Sequence, residues 1–150
     1  MLKIICVGSI KEKEMTLLIN EYLKRLQKYT KIEITELPDY SYDLKNTIKH
    51  ESDLILKNIG AKDFVITMEI EGKQLTSVEL AEKIRTTLIT NSTITFIIGG
   101  SYGLSEEVKK RSNMALSFSK LTFPHQLFRL ILLEQIYRSF KIINNEAYHK

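Results

Sequence analysis

The sequence predicts an α/β fold: a single domain over residues 1–150, with a mainly parallel sheet and helices on both faces. Three observations carry this reading. Short β-branched runs alternate with helical stretches along the whole chain, the pattern of βα units. The most apolar run, Ile94 to Ile98, is continuous rather than alternating, as in a strand covered on both faces. Two such runs also empty into small-residue loops, IIGGSYGL and FSKLTFPH, and open α/β sheets bind ligands outside the carboxyl ends of their strands.

Taken in order, Leu2 to Val7 is a β-branched strand ended by Gly8-Ser9. Met15, Leu18, Ile19, Tyr22, Leu23 and Leu26 recur at three- and four-residue spacing, which predicts a helix over about Glu12 to Tyr29. Ile32 to Leu37 alternates strictly, a strand with one wetter face near a sheet edge, and Pro38-Asp39 stops it. Residues 39–45 read as a polar turn. Leu44 to Ile59 is a second helix with Gly60 placed to cap it. Phe64 to Ile70 is a strand, Glu71-Gly72-Lys73 a turn, and Ser77 the cap of a helix to about Ile89. Thr93 to Ile98 is the buried strand. Ser105-Glu106-Glu107 opens a short helix with acids at its positive end. Met114 to Phe118 is a short strand. Pro124 starts a last helix that runs to about Ile143. That helix is apolar nearly all round, from Leu127 to Phe140, so it is buried, with a partner subunit as one possible cover.

The bulk numbers exclude several classes. At 150 residues the chain is long enough for one core. A hydrophobic share of 43%, a charged share of 27% and a net charge of +4 are ordinary for a soluble domain, with a mild bias toward anionic partners. Cys6 is the single cysteine, so no intrachain disulfide can form, and its apolar surroundings make it a buried structural thiol. No signal peptide and no apolar run of membrane length is present, so a cytoplasmic protein without a membrane partner is expected.

IIGGSYGL is neither a Walker loop, since Leu104-Ser105 stands where Lys-Ser/Thr is needed, nor a dinucleotide fingerprint. It is a strand-to-helix turn or a ligand loop, and the second loop favours the ligand. There, Ser119, Thr122 and backbone groups offer hydrogen bonds, while Leu121 and Phe123 offer apolar contact. His125 at the head of the last helix either orders the loop or takes part in chemistry. Arg129 follows one turn later, and Glu134 precedes Arg138 at the favourable i, i+4 spacing. Arg138 is then a surface ion pair or a cation aimed at phosphate or developing negative charge. Tyr148-His149-Lys150 is either a frayed end or a functional group. No zinc pattern, catalytic carboxylate pair or Ser-His-Asp spacing occurs.

GGSYG, LSFSKLTFPHQLFRLILLEQIYR and the terminal AYHK, in that order, resemble the bacterial large-subunit rRNA methyltransferase H family, SPOUT-class enzymes that methylate N3 of a pseudouridine in 23S rRNA. The resemblance covers essentially the whole chain. It implies a C-terminal trefoil knot, an exception to the rule against knots, a homodimer, and S-adenosyl-L-methionine as cofactor. By matching motif it implies cofactor contacts at Met68, Gly99 and Phe118, Ser119, Lys120, Leu121, Thr122 and Phe123. It places Arg138, Tyr148 and His149 on the substrate side. Met68 stands where leucine is common, and the stretch from Pro38 to Ile55 is shorter than the family's usual one.

The implied reaction is an in-line transfer of a methyl from a sulfonium to a nitrogen that must first lose a proton, so alignment matters most. His149 suits proton transfer near neutrality, Arg138 suits charge stabilisation on the flanking carbonyl oxygens, and Tyr148 can stack on the base. The implied substrate is 23S rRNA, free or within the large ribosomal subunit or assembled ribosome; DNA is not expected. A non-catalytic RNA- or ribosome-binding protein with a retained SPOUT fold is the alternative. A phosphate-ester hydrolase is disfavoured, because there is no lysine-bearing phosphate loop and no carboxylate cluster for magnesium.

Overall fold

The computed structural model describes residues 1–40 and 43–150. The order of elements is β1 (Leu2–Val7), α1 (Lys13–Leu26), β2 (Ile32–Leu37), α2 (Leu44–Asn58), β3 (Phe64–Gln74), α3 (Ser77–Thr90), β4 (Ile94–Ile98), α4 (Glu106–Arg111), β5 (Met114–Ser117) and α5 (His125–Ile143). The five strands form one sheet in the order β2-β1-β4-β3-β5, with every pairing parallel.

Side-chain alternation splits the core across the sheet. Leu2, Ile4 and Cys6 of β1, Ile66 of β3, and Ile94, Phe96 and Ile98 of β4 face α1, α3 and α5. Ile5, Val7, Val65 and Ile97 face the other way, against Ile55 of α2 and Val108 of α4. All five residues of β4 are buried, as its unbroken apolar run predicts. β2 is an edge strand with Glu33 and Glu36 exposed.

Several boundaries move, each for a local reason. α1 closes at Leu26 rather than Tyr29, and Leu18, expected on its apolar face, is 50% exposed beside Leu17. The predicted turn at Glu71-Gly72-Lys73 is part of β3. The strand bulges between Met68 and Lys73 and regains its pairing with β5 at Lys73↔Leu116. Gly72 lies so close to β5 that a Cβ on it would be 2.7 Å from the Leu116 carbonyl carbon. The cap of α3 is Thr76, not Ser77, in a reciprocal box with Glu79. Ser77 instead donates to Gln135 Oε1 of α5 at 2.8 Å. β5 ends at Ser117, leaving Phe118 in the following loop. Pro124 is the N-cap of α5 rather than its first residue. Asp43 caps α2, whereas Ser41 and Tyr42 of the expected polar turn lie outside the described residues.

Gly60 does not cap α2 in the left-handed conformation; it serves Asp63. Asp63 Oδ2 accepts from the Gly60 N–H at 2.9 Å, from Thr95 Oγ1 of β4 at 2.7 Å and from Lys3 Nζ of β1 at 3.4 Å. Burial works against the ionised form, but these bonds together with the Lys3 charge win and hold its pKa below the ordinary carboxylate value. A lowered carboxylate contributes stability above its unfolded pKa and loses it as pH falls through the folded value. Asp63→Ala is therefore expected to cost about 2 kcal/mol at neutral pH, and clearly less near about pH 3, by urea denaturation. An equal cost at both would show that packing, not charge, is what is lost.

Cys6 is buried, and burial pushes its thiol up to about 11, so it is an inert core residue. Arg129 is the unexpected feature of α5. It is 1% exposed and donates to Glu36 Oε1 at 2.6 Å and to the Gly8 carbonyl at 3.0 Å. It thereby ties the ends of β1 and β2 to the last helix. α1 and α3 cover much of the apolar girth of α5, while Leu127 remains exposed.

Candidate functional site

A cleft of about 440 Å³ opens at the carboxyl ends of β3, β4 and β5. Its volume is within the usual small-molecule range of roughly 300–1,000 Å³. Met68, Glu69 and Glu71 of β3 form one wall, and Ile98 with the Gly99–Leu104 turn forms the second. Leu116 to Ser119, Leu121, Thr122 and Phe123 form the third, with His125 and Phe128 of α5 closing one end.

The two loops are built differently. In the first, the Gly103 N–H donates to the Gly100 carbonyl at 3.1 Å, and Gly103 has φ +79°, which favours glycine. Gly99 lacks a Cβ that would otherwise be 2.8 Å from Leu104 Cδ2, so the backbone lies bare against the cleft. In the second, Ser117 Oγ donates to the Ser119 carbonyl at 3.0 Å, and the Leu121 N–H donates to Ser119 Oγ at 3.0 Å. Phe118 and Phe123 lean on Phe128 at ring distances of 5.3 and 6.3 Å, an apolar platform for a flat ring.

Of the predicted cofactor contacts, the cleft gathers Met68, Gly99, Phe118, Ser119, Leu121, Thr122 and Phe123. Lys120 is in the same loop but is exposed and not part of the wall. Glu69 is a wall residue that sequence reasoning missed. Its Oε2 accepts from Thr67 Oγ1 at 2.7 Å, and Lys109 Nζ is 3.6 Å from Oε1. Its position next to Met68, inside the expected strand, was the available signal.

Arg138, Tyr148 and His149 do not line the cleft. They form a second group with Glu134 at its centre. Arg138 Nη2 donates to Glu134 Oε1 at 2.6 Å, and the Tyr148 hydroxyl donates to the same oxygen at 3.1 Å. The guanidinium carbon is 4.7 Å from the centre of the Tyr148 ring, which meets Tyr137 edge-on at 5.1 Å. His149 Nδ1 faces Arg138 Nη1 at 3.3 Å. A guanidinium offers only protons, so in this contact Nδ1 can only accept. The tail is packed rather than frayed: Glu146 accepts from Tyr29 and from Lys141, the latter at 2.5 Å. Burial, with hydrogen bonds to Tyr22 and Glu134, pushes the Tyr148 phenol up to about 12, so it is a donor at neutral pH.

Adenosylmethionine presents a flat purine, ribose hydroxyls, a sulfonium and a zwitterionic amino-acid tail. Aromatic and aliphatic walls, bare backbone at the first loop and the Glu69 carboxylate match those chemistries. Among the described residues, no group of three or more His, Cys, Asp and Glu could hold a metal ion, and no helix is long and apolar enough to cross a membrane.

Comparison with known proteins agrees with the architecture. The family model described as "Predicted SPOUT methyltransferase" matches residues 1–149. A protein of Clostridium botulinum (strain 657 / Type Ba4) named ribosomal RNA large subunit methyltransferase H is 52% identical, covering 99% of both chains. Its namesake from the Loch Maree strain is 48% identical over the same shares. Among solved structures, the tRNA (m1G37) methyltransferase of Aquifex aeolicus matches with a TM-score of 0.54 at 20% identity, covering 91% of this chain and 69% of that one. A "probable methylase family protein" of Haemophilus influenzae Rd KW20 matches at 0.57 and 12%, covering 99% and 70%. These two share the fold. On the matched family model and the near full-length identity, this chain belongs to the SPOUT methyltransferases, in the ribosomal RNA large subunit methyltransferase H family.

Proposed function

We propose that this protein is a cytoplasmic rRNA methyltransferase that binds S-adenosyl-L-methionine in the β3–β4–β5 cleft and methylates N3 of a pseudouridine in 23S rRNA of the large ribosomal subunit. The observation that carries the reading is the pairing of this cleft with the separate Arg138–Tyr148–His149 group. Arg138 follows His125, at the cleft's edge, by thirteen residues of one helix. At 1.5 Å per residue that is about 20 Å. One chain thus holds cofactor and substrate groups apart, and a homodimer in which each tail serves the partner's cleft joins them. Exposed Leu17, Leu18 and Leu127 favour such an interface. Membership of the SPOUT methyltransferases brings with it the expectation of a trefoil knot in the C-terminal part.

The bound cofactor supplies an activated methyl; this chain's residues do the rest. The two loops and aromatic platform orient it and exclude water from one side. Arg138, held in a two-point grip by Glu134, is placed to stabilise negative charge on the carbonyl oxygens beside N3 as its proton passes to water. Tyr148 donates a hydrogen bond or stacks on the base. His149, with Nδ1 turned to Arg138, orients the guanidinium, so positioning ranks above general-base catalysis.

Calorimetric titration of the purified protein with adenosylmethionine, with subunit mass measured on the same sample, is the test. Saturable binding to a dimer is expected, followed by methyl transfer to N3 of one pseudouridine in large-subunit RNA. A well-folded dimer that binds no cofactor, with or without ribosomes present, would leave the non-catalytic ribosome-binding reading in its place.

A further inference from the structure

Thr47, Glu51 and Ile55 recur at four-residue spacing on the buried face of α2. Ile55 belongs in a core; Glu51 does not. It is 3% exposed, and neither carboxylate oxygen makes a hydrogen bond of good geometry. The group lies directly under the first cofactor loop: a Cβ at Gly100 would sit 2.7 Å from Oε1 and 2.9 Å from Oε2. One residue on, Ser52 Oγ accepts from Ser105 Oγ at 2.7 Å, and Ser105 caps α4. α2 therefore supports both ends of the Gly99–Ser105 segment, at one end with a hydroxyl pair and at the other with a bare carboxylate. The opposite side of that segment lines the cleft.

We propose that Glu51 is a positioning residue for the cofactor loop, its ionised carboxylate drawing the Gly100 N–H inward when the cleft fills, and its protonated form releasing the turn. The proposal rests on the cofactor reading of the cleft. Buried polar groups in native proteins are nearly always paired, and a bare carboxylate costs more than a neutral group. Such a cost is tolerated where another state of the site repays it. The turn offers that state, because a backbone N–H brought onto an ionised carboxylate makes a charge-assisted bond.

The neighbourhood agrees. Burial raises the pKa of Glu51 above the ordinary carboxylate value, and the Asp39 carboxylate on the β2–α2 connection adds to this, while the Gly100 N–H opposes both. Asp39 is the one charged side chain among the described residues whose field acts on it. The glycine turn and the cap of α4 present backbone amides and hydroxyls, and the ring of His50, beside it in α2, lies against Tyr40. A carboxyl raised in the folded state withholds stability while it is ionised and returns it as pH falls through the folded pKa.

Glu51→Gln separates this role from simple support, because the two predict opposite signs. Here the variant is expected to raise Tm at neutral pH, with the gain fading on acidification. Its adenosylmethionine affinity is expected to fall about tenfold and to be flat over the acid range in which the unsubstituted protein weakens. Ser52→Ala, which breaks the other tie, should lower Tm and leave that pH profile in place. Titration of the Gly100 amide resonance in the ligand-free protein provides a readout independent of the cofactor. It should shift with Glu51 ionisation and stop shifting in Glu51→Gln. A Glu51→Gln variant with lower Tm and an unchanged pH profile overturns the proposal, as does a Gly100 amide that ignores pH. If the unsubstituted protein binds no adenosylmethionine, the cofactor reading fails, and the Gly100 resonance still decides whether Glu51 governs the turn.

Discussion

Removal of Tyr148 to Lys150 is expected to lower methyl transfer by at least about a hundredfold while leaving adenosylmethionine affinity within about twofold. The asymmetry follows from geometry: none of the three residues lines the cleft of its own chain, and in the proposed dimer the tail meets the substrate base rather than the cofactor. Arg138 does lose its cover, since the Tyr148 ring lies on the guanidinium and His149 faces it. Arg138→Ala should reach a loss of about a hundredfold to a thousandfold on its own, the usual range for one donor aimed at developing charge. Arg138→Lys should rescue little, because an ammonium cannot reproduce the two-point grip on Glu134. Single-turnover transfer of labelled methyl beside calorimetry reads both quantities. A truncated protein with full activity would remove the tail from the mechanism altogether.

The second large effect is on stability. Gly72→Ala would place a Cβ 2.7 to 2.8 Å from three backbone atoms of Ala115 and Leu116. Backbone cannot swing aside as a side-chain tip can, so β3 or β5 must shift. The expected cost is about 3 kcal/mol, or a Tm lower by about 10 °C for a domain of this size. Because Met68 and Leu116 to Phe118 are the walls that these strands carry, cofactor affinity should fall in parallel. An alanine variant with an unchanged melting curve would mean that the two strands can part without penalty there.

Much of the architecture was legible because it is written in periodicity. The unbroken run of β4 announced burial on both faces, and the alternation of β2 announced an edge. What was missed depends on contacts distant in sequence. Glu-Gly-Lys has turn chemistry, yet at residues 71–73 the neighbouring β5 holds it in a bulged strand. Arg129 resembles any helix-surface cation until β1 and β2 supply Glu36 and the Gly8 carbonyl. In the site, motif resemblance selected residues on all three walls of the cleft, while Glu69 and Glu51 were passed over. Glu51 still had a sequence signal: a carboxylate four residues before Ile55 on a helix's inward stripe is out of place. No local pattern could show that the tail folds back on Glu134.

The strand order also sets a timetable for folding. β1 lies between β2 and β4, so the second earliest available partner of the first strand is some ninety residues further along the chain. β3 in turn needs β5, across the whole of α3, β4 and α4. Contacts this distant in sequence slow folding, because loop-closure entropy is spent before they form. During synthesis, a β1–α1–β2 unit with one open β1 edge must wait for more than half the chain to emerge. Refolding of the isolated chain should accordingly be slow, and the early segment is the part most exposed to mispairing in the interval.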